Sequence, residues 1–199
     1  MGHLINVVCI FMPEFSFFLQ HGWVFFPIAF GDYPPLMREL VDGKSESEGL
    51  AVSRLPYFTQ EWKQKLNHSY DFLGLNHYTT ELVIPAVRTD AGFNGDQNTI
   101  TYQSGDWPTS ASSWLKVVPW GFRKLMVWIK ETYGNPLLYV TENGYSDDDT
   151  VGLNDTARVG YYTSYINEML KAVLLDGCNV KSYTAWSLMD NFEWERGYM

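Results

Sequence analysis

Apolar residues along the chain fall into short runs, and the period within the runs changes from one run to the next. Asp71-Phe-Leu-Gly-Leu-Asn-His-Tyr78 reads as a buried strand, Pro136-Leu-Leu-Tyr-Val-Thr141 as a second, and Val180 to Leu188 as a third. Between them the spacing becomes helical. Gly121 to Tyr133 carries Phe122, Leu125, Met126 and Ile129 on one face, with Gly134 as a stop. Asn154 or Asp155 can cap a second helix, along which Tyr162, Tyr165, Ile166, Met169, Leu170, Val173 and Leu174 follow helical spacing. Gly177 ends it, at a position that favours a left-handed residue. Upstream, Gly31-Asp-Tyr-Pro-Pro35 opens a short helix through Leu40, and Thr59 caps another that runs to Leu66.

Strand, helix, strand, helix, strand implies parallel pairing through right-handed crossovers. The stretch from Thr79 to Val118, rich in Gly, Asn, Asp, Ser and Thr, reads as a long loop after the first strand, and loops of that length are usually functional or disordered. Three strands do not close a barrel, and an open three-stranded sheet leaves two edges exposed. The elements therefore read as part of a larger architecture.

Composition narrows the function classes. With 46% hydrophobic and 19% charged residues the chain has the make-up of a globular domain, and at 199 residues it could bury roughly 70% of its unfolded surface. A net charge of −9 with no basic run argues against nucleic acid and against an anionic membrane surface. Aromatic residues reach 17%, with 8 Trp, which suits a packed core and also supplies flat platforms for ligands. Cys9 and Cys178 form neither a disulfide framework nor a metal cluster. Leu4 to Met12 is a short apolar run, broken at Pro13-Glu14 and again at Gln20-His21, so no transmembrane span is expected. Asn67-His68-Ser69 and Asn154-Asp155-Thr156 fit the N-glycosylation pattern and lean towards the secretory route over the cytoplasm without deciding the compartment.

The candidate chemistry lies at the ends of the strands. Glu142 follows an apolar strand and precedes the turn signal Asn143-Gly144, a place where barrel enzymes build their sites and where an idle surface Glu is equally at home. Asn76 and Tyr78 lie two apart and so share one face of the first strand. A tyrosine hydroxyl there could hold a neighbouring carboxylate ionised. The third run ends in Ala185-Trp-Ser-Leu-Met-Asp-Asn-Phe-Glu-Trp194, where Trp186 could stack on a sugar ring. Glu193 could accept paired hydroxyl hydrogen bonds, and the Trp194 indole N–H could donate one. Core tryptophans and a surface ion pair would account for the same residues.

Taken together, Thr141-Glu-Asn-Gly144, the Ala185–Trp194 segment and Gly74-Leu-Asn-His-Tyr78 resemble glycoside hydrolase family 1. Gly31-Asp-Tyr-Pro34, Arg54-Leu-Pro-Tyr-Phe-Thr59 and Pro119-Trp-Gly-Phe-Arg123 match the same family in the same order, and Ser164-Tyr-Ile-Asn-Glu-Met-Leu-Lys-Ala172 resembles its lactase-like branch. The resemblance implies an α/β fold, a partial (β/α)8 TIM barrel of which this chain holds the last three strands with their helices. It covers residues 21–199 and leaves 1–20 as an unassigned apolar segment. It also implies a retaining β-glycosidase acting on a β-glycoside or small oligosaccharide, with no cofactor and no metal. By resemblance, Glu142 is the nucleophile and Tyr78 the residue that orients it. Asn76 belongs to the sugar pocket, and Trp186 is the platform beneath the sugar. Glu193 and Trp194 grip the distal hydroxyls, and Trp114 stacks on the leaving group.

A retaining glycosidase needs a second carboxyl group about 5–5.5 Å from the first. The family carries it in an Asn-Glu-Pro sequence, and none occurs in these 199 residues. The chain by itself is therefore expected to be inactive on natural disaccharides. A sugar-binding or receptor-like relative and a nonfunctional fragment are the alternative readings.

Overall fold

The computed structural model describes residues 3–11, 22–148, 150 and 152–198. In chain order the elements are β1 (His3–Phe11), α1 (Trp23–Phe30), α2 (Pro35–Ser47), α3 (Gln60–Leu66), β2 (Leu73–Pro85), α4 (Phe93–Asp96), β3 (Thr99–Tyr102), α5 (Pro119–Tyr133), β4 (Leu138–Glu142), α6 (Thr156–Leu174) and β5 (Val180–Tyr183). The sheet order is β1-β2-β4-β5, with β3 paired to β2. The apolar run from Leu4 is thus a strand, while its interruptions at Pro13-Glu14 and Gln20-His21 lie outside the described residues. Among the described residues, no helix is long and apolar enough to cross a membrane.

The chain divides into two units. Among the described residues, the first comprises 10–11, 22–71 and 81–104. Its core gathers Trp23, Val41 and Leu55 with Tyr33, Leu36, Met37 and Leu40 around them. Helix α2 continues past the expected end at Leu40 to Ser47, because Val41 and Ser45 keep its inner face buried. Thr59 caps α3 as expected, its hydroxyl accepting from the Trp62 N–H. Arg54 forks onto both carboxylate oxygens of the nearly buried Asp96, at 2.7 and 2.8 Å, and so ties the segment after α2 to α4.

Among the described residues, the second unit comprises 3–9, 72–80, 105–148, 150 and 152–198. Here β2, β4 and β5 pair in parallel, Leu73 opposite Leu138 and Leu138 opposite Val180. Helix α5 begins at Pro119, which needs no N–H partner in a first turn, and stops at Gly134 in the left-handed region with φ 74°. Its buried face holds Phe122, Leu125, Met126, Ile129 and Tyr133. Asp155 caps α6 by accepting from the Arg158 N–H.

Three further sequence expectations are corrected. Residues 79–118 are not one loop, because β2 runs on through Thr79 and Thr80 to Pro85 and antiparallel β3 returns along it. The two threonines read as loop residues because they are polar. Both are buried and satisfied, Thr79 donating to the Lys116 carbonyl and Thr80 to that of Val118. The third strand ends at Tyr183 rather than Leu188. Thr184 still donates to the Val140 carbonyl, but Trp186 already donates to Asn143, which turns the chain off the ladder. On α6 the buried residues are Tyr161, Tyr165 and Ala172, whereas Leu174 of the expected face is 76% exposed.

At Gly121 helix α5 lies directly against β2. A Cβ there would collide with the Thr80 side chain, whose own hydroxyl is committed to Val118. Gly121→Ala is expected to cost about 1–3 kcal/mol by overpacking, read as a lower urea midpoint at an unchanged slope.

Candidate active site

The site is built where the parallel strands end. Along β2 and β4 the partners run Leu73–Leu138, Gly74–Tyr139, Leu75–Val140 and then Asn76–Glu142, a register shift that leaves Thr141 as the extra residue. Such a bulge re-aims the side chain that follows it. Glu142 therefore stands opposite Asn76, and Tyr78, two residues on, returns to that same face. The Tyr78 hydroxyl donates to Glu142 Oε2 at 2.6 Å. The Thr141 hydroxyl donates to Asn76 Oδ1 at 2.5 Å, fixing a side chain that is itself buried.

Burial pushes the Tyr78 hydroxyl pKa well above its ordinary value, and the hydrogen bond to Glu142 and the charges of Glu142 and Glu193 push it in the same direction. Tyr78 thus stays a neutral donor across the ordinary pH range. A hydrogen bond to a carboxylate is worth about 1.5–3 kcal/mol, enough to select one rotamer of Glu142.

The remaining candidates differ in how closely they join this pair. The Trp114 ring lies edge-on to Tyr78 with centroids 6.1 Å apart, and the residue is 53% exposed. Trp186 is 39% exposed and donates from its indole to Glu193 Oε1 at 3.1 Å, so these two form a second pair. The Trp186–Ser187 peptide is cis. Trp194 opens a short 3-10 turn, Trp194–Arg196, and is 82% exposed. The geometry therefore gathers Asn76, Tyr78 and Glu142 with Trp114 beside them, sets Trp186 with Glu193, and leaves Trp194 at the solvent-facing end.

The sequence profile of glycosyl hydrolase family 1 matches residues 12–199. The chain belongs to glycosyl hydrolase family 1. It is 45% identical over 180 residues to the human lactase/phlorizin hydrolase, covering 89% of this chain and 9% of that protein. An aphid myrosinase structure is similar with a TM-score of 0.87 at 39% identity, over 98% of this chain and 44% of its own. A rice β-glucosidase, solved in a covalent complex with Glc, is similar with a TM-score of 0.85 at 31% identity, over 99% and 44% of the two chains. This family 1 chain thus spans less than half the length of the relatives it matches, and its fold is a partial (β/α)8 barrel.

Residues overlooked in the sequence complete the surroundings of the candidate site in this family 1 chain. Asn143, noted as part of a turn signal and of the Thr141–Gly144 motif but given no role, is wholly buried and donates to the His77 carbonyl and to the Tyr161 hydroxyl. Tyr161 in turn donates to the Tyr78 carbonyl at 2.9 Å, and its ring stacks on Tyr165 with centroids 4.1 Å apart. The clustering of Tyr161, Tyr162 and Tyr165 was the available signal. Helical periodicity alone assigned the buried face to Tyr162 rather than Tyr161.

Burial also raises the Tyr161 pKa above its ordinary value of 10.0. The folded state then favours the neutral phenol, so this contribution to stability is complete below pH 10.0 and is lost as the pH climbs past it. Urea midpoints measured from about pH 8 to about pH 11 are expected to fall over the upper part of that range, where tyrosines of the unfolded chain ionise. The fall should be shallower in Tyr161→Phe, which lacks that hydroxyl and is less stable at pH 8 by about 1–3 kcal/mol.

Proposed function

We propose that this chain carries the nucleophile side of a retaining β-glycosidase site, with a β-glycoside or small oligosaccharide as substrate. The observation that carries the reading is the 2.6 Å hydrogen bond from Tyr78 to Glu142 at the end of a parallel strand. In the proposed step a Glu142 oxygen attacks the anomeric carbon. The new C–O bond forms as the glycosidic C–O bond breaks, and the leaving oxygen departs with the bonding pair. Water then hydrolyses the glycosyl-enzyme. Tyr78 holds the attacking carboxylate in one orientation. Asn76 contributes a polar group to the pocket, Trp186 lies under the sugar, Glu193 and Trp194 hold its distal hydroxyls, and Trp114 stacks on the leaving group. The covalent Glc complex of the rice relative supports the glycosyl-enzyme. The chemistry needs carboxylates and water alone.

The leaving oxygen of a natural disaccharide must be protonated as it departs, and such assistance is worth about 10²–10⁴-fold. With no Asn-Glu-Pro in the 199 residues, we infer that this polypeptide alone forms the covalent intermediate only from activated glycosides. Incubation with a 2-deoxy-2-fluoro-β-glycoside bearing a dinitrophenyl leaving group is the test. One adduct is expected, on the peptide containing Glu142, and it should be absent in Glu142→Gln. No adduct, or an adduct elsewhere, sinks the nucleophile assignment and favours a sugar-binding remnant. Turnover of cellobiose or lactose by the purified chain, lost in Glu142→Gln, would overturn the inference that it is inactive alone.

A further inference from the structure

The regular ladder between β2 and β4 ends at Asn76 and Glu142, one step before the residues that place the Tyr78 side chain. What continues the connection is a set of side-chain bonds centred on Asn143. Its Nδ2 donates to the His77 carbonyl at 2.6 Å and to the Tyr161 hydroxyl at 2.8 Å. Its Oδ1 accepts from the Tyr183 hydroxyl at 2.5 Å, and its backbone carbonyl accepts from the Trp186 N–H at 2.9 Å.

These bonds can be made in only one sense. A carbonyl cannot donate, so the atom facing His77 must be the amide nitrogen. Tyr161 has a single hydroxyl proton and spends it on the Tyr78 carbonyl, so it must accept from Asn143. The amide thus orders a directional relay, from the residue after Glu142, through Tyr161, to the backbone of the residue bonded to Glu142. All of its members are shielded from water apart from the half-buried Tyr78, and in such surroundings an unmade bond is costly.

We propose that Asn143 is a positioning residue, which sets the Tyr78–Glu142 pair through Tyr161 and the β2 carbonyls. It touches no substrate. The proposal rests on the reading of Glu142 as nucleophile only for its catalytic consequence. Asn143→Asp tests it sharply: the carboxylate keeps the bond from Tyr183 but has nothing to give His77. It also draws the Tyr161 proton away from the Tyr78 carbonyl. Tyr161→Phe cuts the same relay while keeping the ring stack on Tyr165.

The experiment is NMR of the full chain labelled with 13Cζ-tyrosine. Tyr78→Phe identifies the Tyr78 resonance, and Glu142→Gln shows where that resonance lies without a carboxylate partner. In Asn143→Asp and in Tyr161→Phe, each shown by circular dichroism to be folded, the resonance is expected to move toward its Glu142→Gln position. Asn135→Asp disturbs an amide that bridges Gly177 and Asn179 instead, and should leave the resonance in place. An unmoved Tyr78 resonance in folded Tyr161→Phe overturns the proposal, even if Asn143→Asp does not fold. A second arm measures labelling of Glu142 by the fluoroglycoside. The relay variants should lose about 10²-fold in the rate of labelling with little change in apparent affinity, as expected for a displaced attacking group. Labelling at the wild-type rate in both variants also overturns the proposal. If the wild type is not labelled while the Tyr78 resonance responds, the nucleophile reading falls and the holding of the pair stands.

Discussion

One extra residue in β4 decides which face of the sheet carries Glu142. In an unbroken parallel ladder Thr141 would face Asn76, and Glu142 would lie on the opposite face of the sheet, since a slip of one residue reverses every side chain. The bulge between Leu75 and Asn76 restores the parity, so that Glu142 shares a face with Asn76 and Tyr78. The hydroxyl of the extra residue is put to use, donating to Asn76. The 2.6 Å bond between Tyr78 and Glu142 follows from this register and from the continuation of β2, which carries the tyrosine onward.

The register puts Glu142 at the last residue of β4, and the packing of α6 adds support beside it. Tyr161 and Tyr165, one helical turn apart, both donate to the Tyr78 carbonyl, at 2.9 and 3.3 Å. Tyr165 also accepts from the Val118 N–H and so holds the segment leading into α5. Tyrosine suits this task because each ring fills core volume while its hydroxyl satisfies a backbone group that the sheet ladder cannot reach. Phenylalanine would pack equally well and leave those groups unpaired.

Much of this was legible in the sequence because it is periodic or punctuated. The apolar runs located β2 and β4, helical spacing located α5 and α6, and the position of Glu142 after a run and before Asn-Gly marked a strand end. What escaped the reading depends on partners distant in the chain. Thr79 and Thr80 look like loop residues until Lys116 and Val118 supply their acceptors. Asn143 looks like a turn former until His77, Tyr161 and Tyr183 surround it. The α6 stripe was placed a residue out of phase, because Leu170 and Leu174 pulled the apparent face toward a side that is exposed here. Hydropathy cannot tell a face that is covered from one that is merely apolar.

The end of β4 also fixes the proposed sugar platform. Gly144 leaves room for the Trp186 carbonyl, which a Cβ would strike, and the Tyr162 hydroxyl donates to that same carbonyl. With the Trp186 N–H bound to Asn143 and its indole to Glu193, the tryptophan is held through both backbone and ring. The proposed nucleophile and the proposed platform are thereby referred to one dipeptide, Asn143-Gly144, rather than to two independent loops. For a reaction in which a carboxylate oxygen must meet one carbon of a stacked ring, that shared origin means their separation is set by backbone hydrogen bonds. Flexible side chains are left only the final adjustment.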